Sequence, residues 1–336
     1  MSASAGQQNS GPRVAVIGAG LMGAGIAQVF LAAGVPVTAY DPAPAALDAV
    51  PGRIRAGLDL LGLPSAGPLA LLSAAHELAD AVRQADLVIE AAPENLAIKR
   101  DIFAELGTAA PAGAVLASNT SAIPISEITA GMPGPERVIG THFWNPPYLV
   151  PLVEVVRASA SDPAAVSWTI GLLGRVGMKP VLVTADVPGF VGNRLQHALK
   201  REAIAIVADG ICTAETVDTV TRYGFGPRLG VVGPLEQSDL SGLELTLAIH
   251  ETLMPALDRT PVPHPLLVEK VRTGETGAAA GQGFLTWRPG EAQARRDEIS
   301  AQLAALARAR MQREGEQDVT TMPDSTGPDT TGEPSR

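Results

Sequence analysis

From Arg13 onward, apolar residues come in short β-branched runs separated by longer stretches of helical spacing. "RVAVIG", "VPVTAY", "ADLVIEAA", "AVLASN" and "RVIGTHF" are the runs, and amphipathic segments lie between them. Four-to-eight-residue runs alternating with helical patterns are the rhythm of βαβ units, so a parallel, doubly wound sheet covered by helices is predicted. "LVPLVEVV" and "KPVLVT" extend that sheet. After "ADVPGF", near residue 189, the pattern changes to helices punctuated by Gly and Pro: "RLQHALKREAIAIVADG", "TAETVDTVTRYG", "LEQSDLSGLELTLAIHETLMPAL" and "EAQARRDEISAQLAALARARM". The expected fold class is therefore α/β over residues 13–188, followed by an all-helical domain over 189–314. Residues 1–12 and 315–336 carry too few apolar groups to offset the entropy of ordering, and are expected to be a disordered leader and a disordered tail.

Composition narrows the class. The chain has 336 residues, 46% of them hydrophobic, enough for two cores. No apolar stretch reaches the roughly 18 to 20 residues needed to cross a bilayer, and the first dozen residues lack the basic and apolar regions of a signal peptide. Cys212 is the single cysteine, and no Cys/His cluster has metal spacing, so the chain is expected to be cytoplasmic, without disulfides or a metal. A formal charge of −10 without a Lys/Arg cluster disfavours nucleic acid and anionic membrane as partners. A small molecule is the expected partner.

Chemistry enters with "RVAVIGAGLMGAGIA", where Gly18, Gly20 and Gly23 follow a strand and open a helix. Gly18 permits the turn, Gly20 admits a pyrophosphate to the backbone, and Gly23 lets helix and strand pack closely, while Leu21 and Met22 begin the helix whose N–H groups face the phosphates. Asp41, 23 residues past Gly18, closes "VPVTAYD". Its carboxylate would accept hydrogen bonds from ribose hydroxyls and repel a 2′-phosphate, and the following "PAPAALDAV" has no arginine to reverse that preference. The expectation is a Rossmann-like domain binding NAD, with NADP less favoured.

"GAGLMGAGIA", "EAAPENLAIKRDIFAEL", "SNTSAIPISEI", "GTHFWNPPYLVPLVEVV" and "DVPGFVGNRL" occur in an order and at spacings that resemble the L-3-hydroxyacyl-CoA dehydrogenase family, over about residues 13 to 310. Relatives on the same fold include lambda-crystallin/gulonate dehydrogenases and ketoreductases that tailor polyketides. The resemblance implies a C-terminal helical domain that forms a homodimer and an NAD-dependent exchange of 3-hydroxyacyl and 3-ketoacyl compounds, with L, usually S, products. It implies His142 as catalytic acid/base and Glu154 as its partner. Ser121 and Asn193 would hold the reacting oxygen, Asn145 would line the site, and Glu94 and Lys99 would meet the nicotinamide half of the cofactor, together with Asn119, Ser121 and Asn145. Trp144 and Tyr148 flank the histidine as pocket wall or as packing.

The residues support that chemistry by themselves. Histidine titrates near neutrality and can take or give a hydroxyl proton in both directions, and a carboxylate on the far ring nitrogen fixes its tautomer. A lone carboxylate among Leu, Val and Pro, as at Glu154, is costly without a partner. Other roles stand beside these: Ser121 as a helix cap shared with Asn119 or Thr120, and Asn193 as an ordinary first-turn residue, with His197 one turn beyond it.

The sequence departs from the family where acyl-CoA is held. Aligned through "RIRAGLDLLGLP", the positions of a CoA-binding serine and lysine are Gly57 and Pro64, and Arg53, Arg55 and Arg83 are the remaining cations between Asp41 and Asp86. "GAAAGQGF" puts Ala279 where the family has a cofactor-side lysine. A β-keto reductase of a polyketide or other non-standard acyl substrate is thus favoured. An L-3-hydroxyacyl-CoA dehydrogenase of fatty-acid metabolism, a gulonate-type sugar-acid dehydrogenase and a non-catalytic NAD-binding scaffold are the alternatives.

Overall fold

Val14–Ile17, four consecutive buried residues, form β1, an interior strand of the sheet of a computed structural model that describes residues 11–320. Val37–Tyr40 (β2), Leu72–Ala75 (β3), Leu87–Glu90 (β4), Val115–Ser118 (β5), Val138–Phe143 (β6), Leu152–Val156 (β7) and Lys179–Val183 (β8) complete it. Strand order is β3-β2-β1-β4-β5-β6-β7-β8. The chain reverses its direction of winding at β1, which opens a crevice at the carboxyl ends of β1 and β4. β1, β4, β5 and β6 are buried over most or all of their length, as strands covered on both faces must be.

The sheet is mixed rather than parallel throughout. β6 pairs with β7 antiparallel, with His142 opposite Glu154. The reason is length: residues 144–151 alone join the two strands, and a parallel crossover needs about a dozen residues or more. β8 then pairs parallel to β7 after the helix Pro163–Arg175, which Asp162 caps by accepting from Ala164 N. β3 has no clear signal in the sequence because "LSAA" is short and half-exposed; pairing with β2 makes it a strand.

The helix Leu21–Ala32 is buried from Gly23 to Leu31 and packs against Val50–Leu61. Gly57 lies in that contact. A Cβ there would stand 2.1 Å from Gln28 Oε1, so Gly57 gives room to the buried Gln28 amide, which any side chain at this position would have to displace. Pro64 is exposed beyond the left-handed C-cap Gly62.

The described residues separate into two compact units, one running to Asp186 and resuming at Glu298, the other Val187–Asp297. The second unit is helical, with Gly192–Ala208, Leu243–Leu253 and Pro265–Arg272 among its helices. The last helix, Glu291–Thr320, departs from the sequence-based assignment to the helical domain: from Glu298 onward it counts with the first unit, and it continues past residue 314, where a tail was expected. The rest of the expected leader and tail, residues 1–10 and 321–336, lies outside the described residues.

Candidate active site

The turn after β1 is built by steric necessity. Gly18 has φ +100°, and a Cβ there would come 2.7 Å from Ala91 O; a Cβ on Gly23 would lie 1.7 Å from Gly18 O. Gly20 differs, since its Cβ would meet nothing within 4 Å. That open side faces the start of a helix whose first turn has no acidic residue and whose N-cap offers no side-chain acceptor. Such a cradle fits a dinucleotide pyrophosphate, with Gly18, Gly20, Leu21, Met22 and Gly23 as its backbone.

Asp41 is locked in place: Oδ2 accepts from Ala19 N at 2.8 Å and Oδ1 from Ala43 N at 2.9 Å. Arg53, beyond "PAPAALDAV", reaches the same turn from the helix Val50–Leu61, and its Nη1 donates to Ala19 O at 2.6 Å. Asp41 and Arg53 thus hold opposite ends of one residue of the glycine turn. No local signal in the sequence could show this, because it depends on how two helices pack.

Beyond β4 lies a buried ionic group. Glu90 and Lys99 are both fully buried, with Nζ donating to Oε1 at 2.8 Å and Oε2 at 3.0 Å. Ser118 Oγ and Ala92 N also donate to the Glu90 carboxylate, at 2.6 and 2.7 Å. Lys99 is therefore enclosed rather than exposed, with its ammonium also 3.5 Å from Glu94 Oε2. Sequence reading missed Glu90, although a carboxylate inside "LVIEAA" is the signal that drew attention to Glu154.

Glu94 Oε1 accepts from Thr120 Oγ1 at 2.7 Å, Ser121 N at 2.9 Å and Ala122 N at 3.0 Å. Burial alone would raise its pKa, but the Thr120 hydroxyl, the two backbone donors and the Lys99 ammonium together hold it below the ordinary carboxylate value. Thr120 also accepts from Ile123 N, so it takes the turn-capping role that Ser121 was weighed for. Ser121 is exposed beside it, at the end of the β5 loop.

The strand pairing of β6 and β7 brings His142 and Glu154 together, Nδ1 to Oε2 at 2.8 Å, with 5% and 1% exposure. An ionised Glu154 makes Nδ1–H the donor and turns Nε2, the other ring nitrogen, away from the carboxylate. Asn119 Oδ1 accepts from Phe143 N at 2.8 Å and so pins the end of β6. The Trp144 ring lies 5.5 Å from the imidazole at 55°, and its buried Nε1 has no hydrogen-bond partner among the described residues. Asn145 is exposed, joined to Pro146 by a cis peptide bond. Tyr148 is half-buried against the core, and burial pushes its phenol upward.

Asn193 is the second residue of Gly192–Ala208, in the other unit, just after Phe190, a non-glycine residue at φ +48°. His197 lines a cavity of about 1130 Å³ within that unit, together with His264 and Trp287. Ala279 is exposed in a short turn whose neighbourhood Lys270 secures, by donating to Glu275 and to Gly283 O. Among the described residues no cluster has the makings of a metal site, and no helix is long and apolar enough to cross a membrane.

Residues 13–187 match the model of the 3-hydroxyacyl-CoA dehydrogenase NAD-binding domain, and residues 189–287 that of the C-terminal domain of the same family. A crystal structure of 5-formyl-3-hydroxy-2-methylpyridine 4-carboxylic acid 5-dehydrogenase, described as an NAD+-dependent dismutase, superposes with a TM-score of 0.83 at 35% identity, covering 89% of this chain and 98% of that one. The 3-hydroxybutyryl-CoA dehydrogenase of Mycobacterium tuberculosis is 40% identical over 82% of this chain and 98% of its own length. The L-carnitine dehydrogenase of Streptomyces griseus is 42% identical over 69% and 70%.

Proposed function

As a member of the 3-hydroxyacyl-CoA dehydrogenase family, the chain binds NAD, and we propose that it interconverts a 3-keto and a 3-hydroxy (L/S) acyl compound with His142 as the acid/base. The buried 2.8 Å pair of His142 Nδ1 with Glu154 carries the reading. When bound, NAD supplies or receives the hydride. His142 Nε2 then gives or takes the proton of the carbinol oxygen, so that no protonated carbonyl has to form. Glu154 holds the reactive tautomer and stabilises the imidazolium. Asp41 would hold the adenosine ribose, and Glu94, supported by Lys99, would meet the nicotinamide half beside Asn119, Ser121 and Asn145. Ser121 is proposed to hold the reacting oxygen.

For the substrate we favour a β-keto acid, free or on a non-CoA carrier, of the kind found in polyketide or other specialised metabolism. Two relatives are named for acting on compounds that are not CoA thioesters, L-carnitine and a pyridine carboxylic acid. Between Asp41 and Asp86 the chain offers no lysine to a CoA phosphate. Initial rates of NADH oxidation with acetoacetate, its N-acetylcysteamine thioester, acetoacetyl-CoA and cyclic β-keto acids test this. The highest kcat/KM is expected on a non-CoA form, and a large advantage for acetoacetyl-CoA refutes it.

The second unit supports a homodimer. Of its apolar side chains only Phe190 and Ala205 are buried, while Ile211, Tyr223, Val231, Leu235 and Leu240 are each more than 70% exposed. So much uncovered apolar surface supports the reading that it is covered by a second copy of the chain. Light scattering is expected to give twice the chain mass, and Leu247→Glu, on the helix Leu243–Leu253, to lower it; a wild-type monomer at micromolar concentration rules the dimer out.

A further inference from the structure

The family models end at residue 287, and the helix Glu291–Thr320 lies beyond them. Its docking onto the first unit is specific. Ala304 and Ala307, one turn apart and both 0% exposed, form a buried cluster with Leu61 and Leu149, and Leu60, Leu63, Tyr148 and Leu303 pack around it. Two alanines at that spacing let the helix backbone approach closely, where any longer side chain would have to displace a leucine. Arg308 Nη1 donates to Leu60 O at 2.8 Å. That carbonyl is in the last turn of Val50–Leu61, where no intrahelical N–H remains to meet it, and a cation there also complements the helix dipole.

What the helix grips is the segment between the two members of the proposed acid/base pair. Residues 144–151 leave β6 directly after His142 and Phe143 and return to β7 before Glu154. Asn119 fixes the departure at Phe143, and the ladder to His142 fixes the return. In between, Tyr148 is held between the main core and the C-terminal cluster, and Leu149 is 3% exposed within that cluster. The same segment carries Trp144 against the imidazole. Its position, and hence the wall beside His142, depends on the last helix.

Likeness to solved relatives extends past the family models. The pyridine-carboxylic-acid enzyme superposes on 89% of the chain, more than residues 1–287 together could supply, so the likeness includes residues after 287. The 3-hydroxybutyryl-CoA enzyme matches 82%, about the span of the family models, whereas a 3-hydroxyacyl-CoA dehydrogenase of Archaeoglobus fulgidus covers 88%, so likeness beyond residue 287 is not confined to relatives named for free acids.

We propose that the C-terminal helix is a substrate-specificity element: through Ala304, Ala307 and Arg308 it holds the segment Trp144–Pro151 as a fixed wall beside His142, and so sets the preference for a free 3-keto acid proposed above. This rests on the reading of His142 and its pocket given above. Ala307 and Arg308 are positioning residues, acting through Tyr148, Leu149 and the end of Val50–Leu61.

The test uses the full chain with Ala307→Glu, Arg308→Ala and Arg308→Lys. NADH-dependent reduction of acetoacetate and of acetoacetyl-CoA gives the specificity ratio, NADH fluorescence titration gives cofactor affinity, and hydrogen exchange reports on residues 144–151. In Ala307→Glu, acetoacetate kcat/KM is expected to fall about tenfold or more through KM, within the range that misplacement in a pocket produces. NADH affinity should hold, exchange in 144–151 should rise, and the ratio should move towards the CoA thioester. Arg308→Ala should show the same changes more weakly, with Arg308→Lys closer to wild type, so the test stands even if Ala307→Glu does not fold. Faster exchange with an unmoved ratio, or unmoved exchange in both folded variants, overturns the proposal. A wild-type protein that reduces none of acetoacetate, its N-acetylcysteamine thioester, acetoacetyl-CoA and the cyclic β-keto acids overturns instead the functional reading beneath it.

Discussion

Replacing His142 with alanine is expected to lower NADH-dependent turnover by about 10²- to 10⁴-fold, the usual contribution of a positioned general acid/base, while NADH affinity stays near wild type. The geometry separates the two effects. His142 stands at the end of β6, on the far side of β5 from β1, whereas the glycine turn and Asp41 follow β1 and β2. Removing the imidazole also leaves the Glu154 carboxylate, 1% exposed, without its 2.8 Å partner, so some loss of thermal stability should accompany the loss of rate. Glu154→Gln avoids that charge and isolates the electrostatic role. The amide oxygen can still accept from Nδ1–H, but a neutral group stabilises the imidazolium far less, and turnover should fall by about 10²-fold or more with the fold intact. Single-turnover measurements with saturating NADH decide the matter. Undiminished hydride transfer in either variant would show that the pair is structural and that the proton moves elsewhere.

Much of this arrangement can be read from one segment of the sequence. Two apolar runs joined by residues 144–151, proline-rich and too short for a crossover, must pair antiparallel, and a pairing centred on residue 148 sets position 142 opposite 154. The glycine turn is equally legible because its demands are local: φ at Gly18 and the close approach at Gly23 concern a few consecutive residues. Arg53, Gly57 and the last helix are not legible in this way. Arg53 meets the glycine turn, and Gly57 makes room for Gln28, only because Val50–Leu61 packs on Leu21–Ala32. In the sequence Gly57 looks like a lost ligand contact, whereas in the fold it is a point of close packing. The pattern of "EISAQLAALARARM" announces a helix but not which unit it joins, since the choice rests on two alanines and one arginine meeting residues far earlier in the chain, Leu60 and Leu61 among them.

The pair Glu90 and Lys99 gives the largest expected effect on stability. Both side chains are wholly buried, and the carboxylate takes four hydrogen bonds, two from Lys99 and one each from Ser118 and Ala92. Removing one member takes from the other's desolvated charge its main partner, which costs about 3 to 5 kcal/mol, towards the lower end for Lys99 because Glu94 stays 3.5 Å away. Lys99→Met and Glu90→Gln should each lower the melting temperature by about 6 to 20 °C, taking about 2 to 4 °C per kcal/mol for a unit of this size. Glu90→Gln combined with Lys99→Met should recover most of the loss, because no charge is then buried alone and the amide introduced at position 90 can accept from Ala92 N through its oxygen and donate to the Ser118 hydroxyl through its nitrogen. Additive losses in the double variant would contradict a coupled pair. Cofactor binding should behave differently. The Lys99 ammonium lies 3.5 Å from Glu94 and helps hold its carboxylate in the ionised form, so the double variant should bind NADH more weakly than wild type even with its stability restored. Recovery of melting temperature without recovery of affinity would show that the buried charge is retained for the cofactor site above it; recovery of both would leave Lys99 a purely structural role.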